Sequence, residues 1–298
     1  MIPPRRIVLS GGGIKVVALV GALCVLEENG YLRKVNEVCG VSAGAFLGCL
    51  MAFGYPIRKI ESLLLDLEFG MIRNLPPEAF LEFPERFGLD DASNLIKFLE
   101  SIFRLVLKVD PSITFSEFAN LKKEGQLLFR CWATDLSTLQ PREFSASLTP
   151  SVKIIEALRA SMALPLYFIP PLDTITGNML SDGGIQGNLP LHYLTEDECQ
   201  ESLSLAFSNG SEKRGNPQDF MGFVNSIFSC LIHFRNEACL RKWNHKILKI
   251  SVDEYPSWNF EASRDDRMNL LKKGATSAID WCKSKSGDTQ KPIRRYSI

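Results

Sequence analysis

Apolar positions open the chain in short blocks cut by glycine. Ile7-Val8-Leu9-Ser10 reads as a buried strand, and Gly11-Gly12-Gly13 breaks it. A mostly apolar run from Lys15 to Leu26 follows at helical length, and Asn29-Gly30 stops it. The pattern then repeats. Glu37-Val38-Cys39 predicts a second strand, Gly40-Val41-Ser42-Ala43-Gly44 a tight turn, and Ala45 to Ala52 a second apolar helix, stopped by Gly54. Two strand–glycine–helix units in the first 55 positions predict a parallel sheet with helices on its faces.

The middle of the chain reads as helices and loops. Ile57, Ile60, Leu63, Leu64 and Leu67 keep helical spacing, as do Leu95, Phe98, Leu99 and Ile102. Phe80-Leu81-Glu82-Phe83-Pro84, behind Pro76 and Pro77, reads as an irregular apolar loop. Thr114 with Glu117 three positions on is a capping box, which predicts a helix start. Strands are predicted over Gln126–Thr134 and Arg142–Ser145, and a helix over Ser151–Ala163 with Ser151 as its N-cap. Pro165, Pro170 and Pro171 mark an irregular stretch, Gly177-Asn178 a turn, and Met179 to Asp182 a strand end before Gly183-Gly184. Leu203–Phe207 predicts a late strand, 208–218 a polar loop, 220–240 a long helix, and the basic stretch after Lys283 a frayed tail. No repeat or linker divides the 298 residues, so one α/β domain is expected: a three-layer sandwich with a largely parallel central sheet.

Composition narrows the function classes. Lys and Arg number 34, and Asp and Glu also 34, a balance that excludes a generally basic nucleic-acid binder. No uncharged run reaches transmembrane length, and no secretory signal opens the chain, so a cytoplasmic protein without a membrane span is expected. The eight cysteines lie mostly among apolar neighbours with no CxxC spacing, and read as reduced core thiols. With three histidines and no His–Cys ligand pair, neither a metal nor another cofactor is expected.

Three places carry candidate chemistry. Gly40-Val41-Ser42-Ala43-Gly44 fits G-x-S-x-G, in which a serine sits on a strained strand-to-helix turn and its neighbours two positions away must be small. Gly11-Gly12-Gly13 places free backbone N–H groups at a helix start, facing an oxyanion or a phosphate. It fits no dinucleotide fingerprint, because position 16 is Val16, and no Walker lysine follows. A serine nucleophile needs a base, and two remain open on the residues alone. Asp182 stands at a strand end beside Gly183 and Gly184; His192 follows Leu189-Pro190-Leu191. His233, on an apolar helix, and His245, in a basic stretch, are poorer candidates.

Taken in order, these pieces resemble the patatin-like phospholipases. The resemblance rests on Gly11-Gly12-Gly13-x-Lys15, on Gly40-Val41-Ser42-Ala43-Gly44-Ala45, on Arg159-Ala160-Ser161-x-Ala163-x-Pro165, and on Asp182-Gly183-Gly184. It runs from about Ile7 to Leu194, which sets a catalytic core over 7–194 and a helical and strand extension packed on it over 195–298. It implies Ser42 as nucleophile and Asp182 as general base without a histidine. It implies an oxyanion hole from the N–H groups of Gly11, Gly12 and Gly13, supported by Lys15, Gly40, Gly44, Gly183 and Gly184. Val16 departs from the family's usual glycine. The implied activity is lipid acyl hydrolysis of the phospholipase A or lysophospholipase type, through an acyl-enzyme, on a phospholipid or other lipid ester met at a membrane surface. The rival reading is a non-catalytic lipid- or partner-binding module that keeps the fold. Phe80–Phe83 and Leu164–Ile169 are the apolar stretches expected to line an acyl channel or meet the lipid, with the basic tail adding attraction to anionic lipid.

Overall fold

The computed structural model describes residues 3–208, 240–252 and 259–286, with positions 216, 223, 226, 227, 230 and 255 between them. The first half of the chain supplies β1 (Arg6–Leu9), α1 (Val16–Glu28), β2 (Glu37–Val41), α2 (Ala43–Ala52), α3 (Ile57–Asp66), α4 (Ala79–Arg86), β3 (Gly88–Asp90), α5 (Ser93–Ser101) and α6 (Phe115–Asn120). The second half supplies β4 (Leu128–Asp135), β5 (Gln140–Ser145), α7 (Ile154–Ser161), β6 (Leu166–Phe168), β7 (Leu180–Asp182), α8 (Glu196–Gln200), β8 (Ser202–Phe207), β9 (Ile247–Ile250) and α9 (Arg264–Ser286).

The central sheet runs β5-β4-β2-β1-β8-β9. The five strands from β4 to β9 are parallel; β5 is antiparallel to β4, and so is β7, which pairs with the far end of β4. This is a mixed α/β fold with a mostly parallel sheet flanked by helices, as the two early strand–glycine–helix units predict. The strands read as near-continuous apolar runs because both faces are covered. Ile7 and Leu9, Val38, Phe129 and Cys131, and Leu203 and Leu205 point into one core. Val8, Cys39, Val41, Trp132 and Ala206 alternate into a smaller one, roofed by Leu189, Leu191, Cys199 and Trp243.

Helix α1 is buried all round from Val16 to Leu26. It lies between the sheet and an outer layer that includes α3 and α9. Its approach to α9 needs two glycines: a Cβ at Gly21 would collide with the Leu271 carbonyl, and one at Gly274 with the Ala18 carbonyl. The capping box at α6 forms, with Thr114 Oγ1 accepting from the Glu117 N–H at 3.2 Å and Glu117 Oε2 from the Thr114 N–H at 2.8 Å. No helix of the described residues is long and apolar enough to cross a membrane.

Three expectations are corrected. Phe80–Pro84 is not a loop but lies within α4. Pro84 is tolerated there because the carbonyl it leaves unbonded belongs to Phe80, which faces solvent. Leu166–Phe168, read as part of an irregular stretch that lines an acyl channel or meets the lipid, is a strand paired with β3, with Tyr167 and Phe168 buried and not on a lipid-facing surface. Helix α7 starts at Ile154 without a Ser151 cap, because 152–154 are bonded to 113–115: the Phe115 N–H donates to the Val152 carbonyl and the Ile154 N–H to the Ile113 carbonyl. Strand β9 was not expected at all. The predicted loop over 208–218, the helix over 220–240, His233 and the tail after 286 lie largely or wholly outside the described residues.

Candidate active site

Strand register explains how two residues 140 positions apart meet. Strand β2 runs up beside β4 and ends with Val41 opposite Trp132. Strand β7 comes down the same edge and ends with Asp182 opposite Ala133, the next residue of β4. The two strands abut end to end. Ser42 Oγ donates to Asp182 Oδ2 at 2.7 Å.

Ser42 has φ 54° and ψ −130°, a left-handed backbone that a side-chain-bearing residue adopts at a cost of about 1–3 kcal/mol. The turn is possible because its neighbours are glycine. A Cβ at Gly40 would collide with the Gly44 carbonyl, and one at Gly44 would lie 2.5 Å from the Ser10 carbonyl oxygen. The strained peptide is held by Ser161: its Oγ accepts the Ser42 N–H at 2.9 Å and donates to the Trp132 carbonyl at 2.7 Å. The serine hydroxyl thus stands at the amino end of α2, where the helix dipole favours negative charge.

Asp182 is 5% exposed. Burial pushes its carboxyl up to about 6, against hydrogen bonds from Ser42 and from the Gly184 N–H (2.7 Å) that favour the carboxylate. No cation pairs with it among the described residues. Its backbone is fixed on both sides: its N–H donates to the Ala163 carbonyl at 2.8 Å and its carbonyl accepts from Thr134 Oγ1 at 2.9 Å. Gly183 lies against the Trp132 carbonyl with no room for a side chain. The hydroxyl therefore meets Asp182 and not a histidine. His192 holds its Nδ1 2.9 Å from the Leu189 carbonyl oxygen and its ring against Tyr193. His245 lies in the short helical turn before β9.

The glycine loop comes to the same place. Gly13 has φ 54°, and Gly11 lies so close to Ser42 that a Cβ there would be 3.0 Å from the serine Cβ. The expectation that all three glycines offer their N–H groups is narrowed. The Gly11 N–H is already donated to the Asn188 carbonyl at 2.9 Å, and Asn188 Nδ2 donates back to the Gly11 carbonyl at 2.8 Å. Among the described residues no acceptor takes the N–H of Gly12 or Gly13. Lys15 is buried, with Nζ 5.9 Å from the centre of the Phe207 ring. Asn188 and Ser161 are the positions that the motifs did not assign. A Gly-Asn pair shortly after Asp182-Gly183-Gly184 was the available signal for the first.

Ser42, Asp182 and Gly13 open onto a pocket whose other walls are Ala43, Ile72, Leu95, Met162, Leu164, Phe168 and Phe260. Leu164 and Phe168, expected as acyl-channel residues, are in it; Phe80–Phe83 are not. Such a wall accepts hydrocarbon, and the polar groups at its floor are a hydroxyl, a carboxylate and a backbone amide.

An α/β scaffold that carries a serine elbow and a buried aspartate defines a hydrolase-like class, and sequence comparison sharpens it. The sequence model of the patatin-like phospholipases matches residues 7–195, well over half of the chain. The chain belongs to the patatin-like phospholipase family. A protein of Invertebrate iridescent virus 6 named "Probable lipid hydrolase 463L" is 28% identical over 282 residues, which cover 92% of this chain and 87% of that protein. Lysophospholipase NTE1 of Kluyveromyces lactis is 24% identical over 301 residues, 98% of this chain and 17% of the much longer relative. The crystal structure of VipD from Legionella pneumophila matches at a TM-score of 0.61 and 17% identity, covering 95% of this chain and 67% of that one. At that identity the likeness is one of fold.

Proposed function

We propose that the chain is a lipid acyl hydrolase of the phospholipase A or lysophospholipase type, working through Ser42 and Asp182. The observation that carries this is the 2.7 Å hydrogen bond from Ser42 Oγ to a buried carboxylate at the floor of an apolar pocket. Membership of the family, and relatives named for lipid and lysophospholipid hydrolysis, support the substrate class.

The acyl chain lies along Leu95, Met162, Leu164 and Phe168, and the ester carbonyl reaches Ser42. Asp182, ionised above its raised pKa, takes the hydroxyl proton as Oγ bonds to the carbonyl carbon. The negative charge on the carbonyl oxygen falls to the uncommitted N–H groups of Gly12 and Gly13, at the start of the helical segment. Collapse of the tetrahedral intermediate breaks the bond to the alcohol, which leaves with the proton from Asp182, and the acyl group stays on Ser42. Water then attacks the acyl-enzyme, giving its proton to Asp182, and the second collapse returns that proton to Ser42 as the fatty acid departs. Asn188 keeps Gly11, and so the loop, in register.

The enzyme meets its substrate at a lipid surface. Phe80 and Leu81 on α4 are 65% and 86% exposed, and Met71 is 68% exposed. Helix α4 runs into β3, the partner of β6, whose Phe168 lines the pocket. Met71 adjoins the wall residue Ile72, so part of this apolar surface borders the pocket. The segment after residue 195 belongs with the core as one domain: it contributes β8, β9 and α9.

Hydrolysis of a soluble p-nitrophenyl ester by the wild type and by Ser42→Ala tests the reading. The substitution is expected to remove at least ~10⁴-fold of the rate with the fold retained by circular dichroism. Turnover equal to that of the wild type would remove Ser42 from the chemistry, and an inactive wild type would favour the binding-module reading.

A further inference from the structure

The pocket walls carry no positive charge: of the ten residues that line it, the one ionisable group is Asp182. An anionic headgroup is repelled from that floor and must be met at the rim. Arg73 stands there. It follows Ile72 in sequence, and Ile72 is a wall residue. Its guanidinium carbon lies 6.0 Å from the centre of the Phe260 ring, another wall residue, and its Nε donates to the Tyr167 hydroxyl at 3.1 Å. Tyr167 stacks on Phe260 with ring centres 5.6 Å apart, and precedes the wall residue Phe168. The guanidinium is thus fixed at one end by Tyr167 and lies beside the wall residue Phe260. At its other end Nη1 is 3.2 Å from the Glu261 carboxylate, on a side chain 82% exposed. That ion pair is solvent-washed and weakly held.

We propose that Arg73 binds the phosphodiester of a glycerophospholipid whose acyl ester is at Ser42, and that Glu261 occupies that anion position in the unliganded enzyme. The inference rests on the lipid-ester reading above and extends it to headgroup selection. Guanidinium matches two non-bridging phosphate oxygens with two parallel N–H bonds, whereas Glu261 engages it here through a single contact from an exposed side chain. With Nε on Tyr167, Nη1 faces the exposed Glu261 carboxylate. Arg73 is a specificity residue and takes no part in proton transfer.

The test uses two substrates with the same acyl chains, both dissolved as monomers: dihexanoylphosphatidylcholine and dihexanoylglycerol. The readout is the ratio of their kcat/KM values, phospholipid over diacylglycerol. Arg73→Ala is expected to lower this ratio by about tenfold or more, chiefly through KM for the phospholipid. Arg73→Lys restores part of the loss. Glu261→Gln, which removes the competing carboxylate from an exposed position, raises the ratio by about twofold. A ratio in Arg73→Ala within twofold of the wild type overturns the proposal and leaves the hydrolase reading intact, because the diacylglycerol is still cleaved. If Arg73→Ala does not fold, Arg73→Lys and Glu261→Gln carry the test, and no change in either overturns it. A wild type that cleaves neither substrate overturns the hydrolase reading and this proposal with it.

Discussion

The two ends of the central sheet treat buried carboxylates in opposite ways. Near the amino ends of the strands, Arg6 pairs with Glu37, and Arg130 reaches Glu143 at 3.0 Å and Glu198 at 2.7 Å. Burial alone would push Glu198 up, but the Thr195 N–H together with Arg130 and Arg6 brings it below its ordinary value. At the carboxyl end Asp182 has two hydrogen bonds and, among the described residues, no cation, and burial prevails. One end compensates its charges and fixes strand register. The other leaves a carboxylate whose proton affinity suits a base working near neutrality. The two carboxylates differ in both respects: Glu198 is partly buried and has Arg130 and Arg6 beside it, whereas Asp182 is buried without an arginine among the described residues.

The largest effect should come from taking away the uncompensated charge. Asp182→Asn is expected to cut kcat/KM by at least ~10⁴, and combining it with Ser42→Ala to add little, since the two act as one unit. At the opposite end, Arg130→Met leaves Glu143 and Glu198 without their main partner. It should cost about 2–4 kcal/mol in urea unfolding while kcat per folded molecule holds, and a fall in kcat of tenfold or more would show that the two ends are not independent.

Acid should act on the site alone. Asp182 must be ionised to accept a proton, so kcat/KM is expected to fall about tenfold per pH unit below about 6. A profile flat to pH 4.5 would mean that another group is the base. Stability runs the other way. Because the folded pKa is raised, Asp182 favours the folded state below the ordinary carboxylate pKa of 3.8, and that contribution is lost as pH rises through about 6. Asp182→Asn should therefore be more stable than the wild type at pH 7, by up to about 3 kcal/mol, with the gap closing toward pH 4. Thermal melts at the two pH values measure it. The smallest effect concerns the rim: Phe80→Ser with Leu81→Ser should weaken sedimentation with neutral vesicles by about threefold to tenfold while hydrolysis of a soluble ester is kept. Unchanged sedimentation would place the lipid contact elsewhere.

The chemistry was more legible in the sequence than the surfaces around it. Ser42 and Asp182 stand beside glycines that a tight turn requires, so local spacing marks both as candidates, though the residues alone left His192 open as the base. The two early strand–glycine–helix units likewise carry their own punctuation. Phe80–Phe83 and Leu166–Phe168 look alike as strings, aromatic residues near prolines, yet one is an exposed helix and the other a buried strand. The difference lies in partners. Strand β6 is buried because three residues of β3, 78 positions away, bond to it, and no local pattern announces so short and distant a pairing. Asn188 escaped for a related reason: its work is two hydrogen bonds to Gly11, 177 positions back, and the Gly187-Asn188 pair beside it marks a turn without naming that partner. The pairing of Arg73 with Tyr167 and Glu261 is equally non-local.

The end-to-end meeting of β2 and β7 also imposes a timetable. A growing chain that has emerged as far as residue 179 already holds the serine, its elbow and the glycine loop, but none of β7. Ser42 is then only a hydroxyl on a strained turn, with water in place of the aspartate. On the proposed mechanism, reactivity waits until synthesis has passed 182, β7 has paired with the far half of β4, and Asn188 has bonded to the loop. Local contacts build the first half early, and the long-range pairing that completes the centre must wait for the second. A ribosome-bound chain stalled at 179 lacks β7, β8, β9 and α9 and should be hydrolytically silent, so a lipid-cleaving activity is withheld until the molecule that carries it is nearly whole.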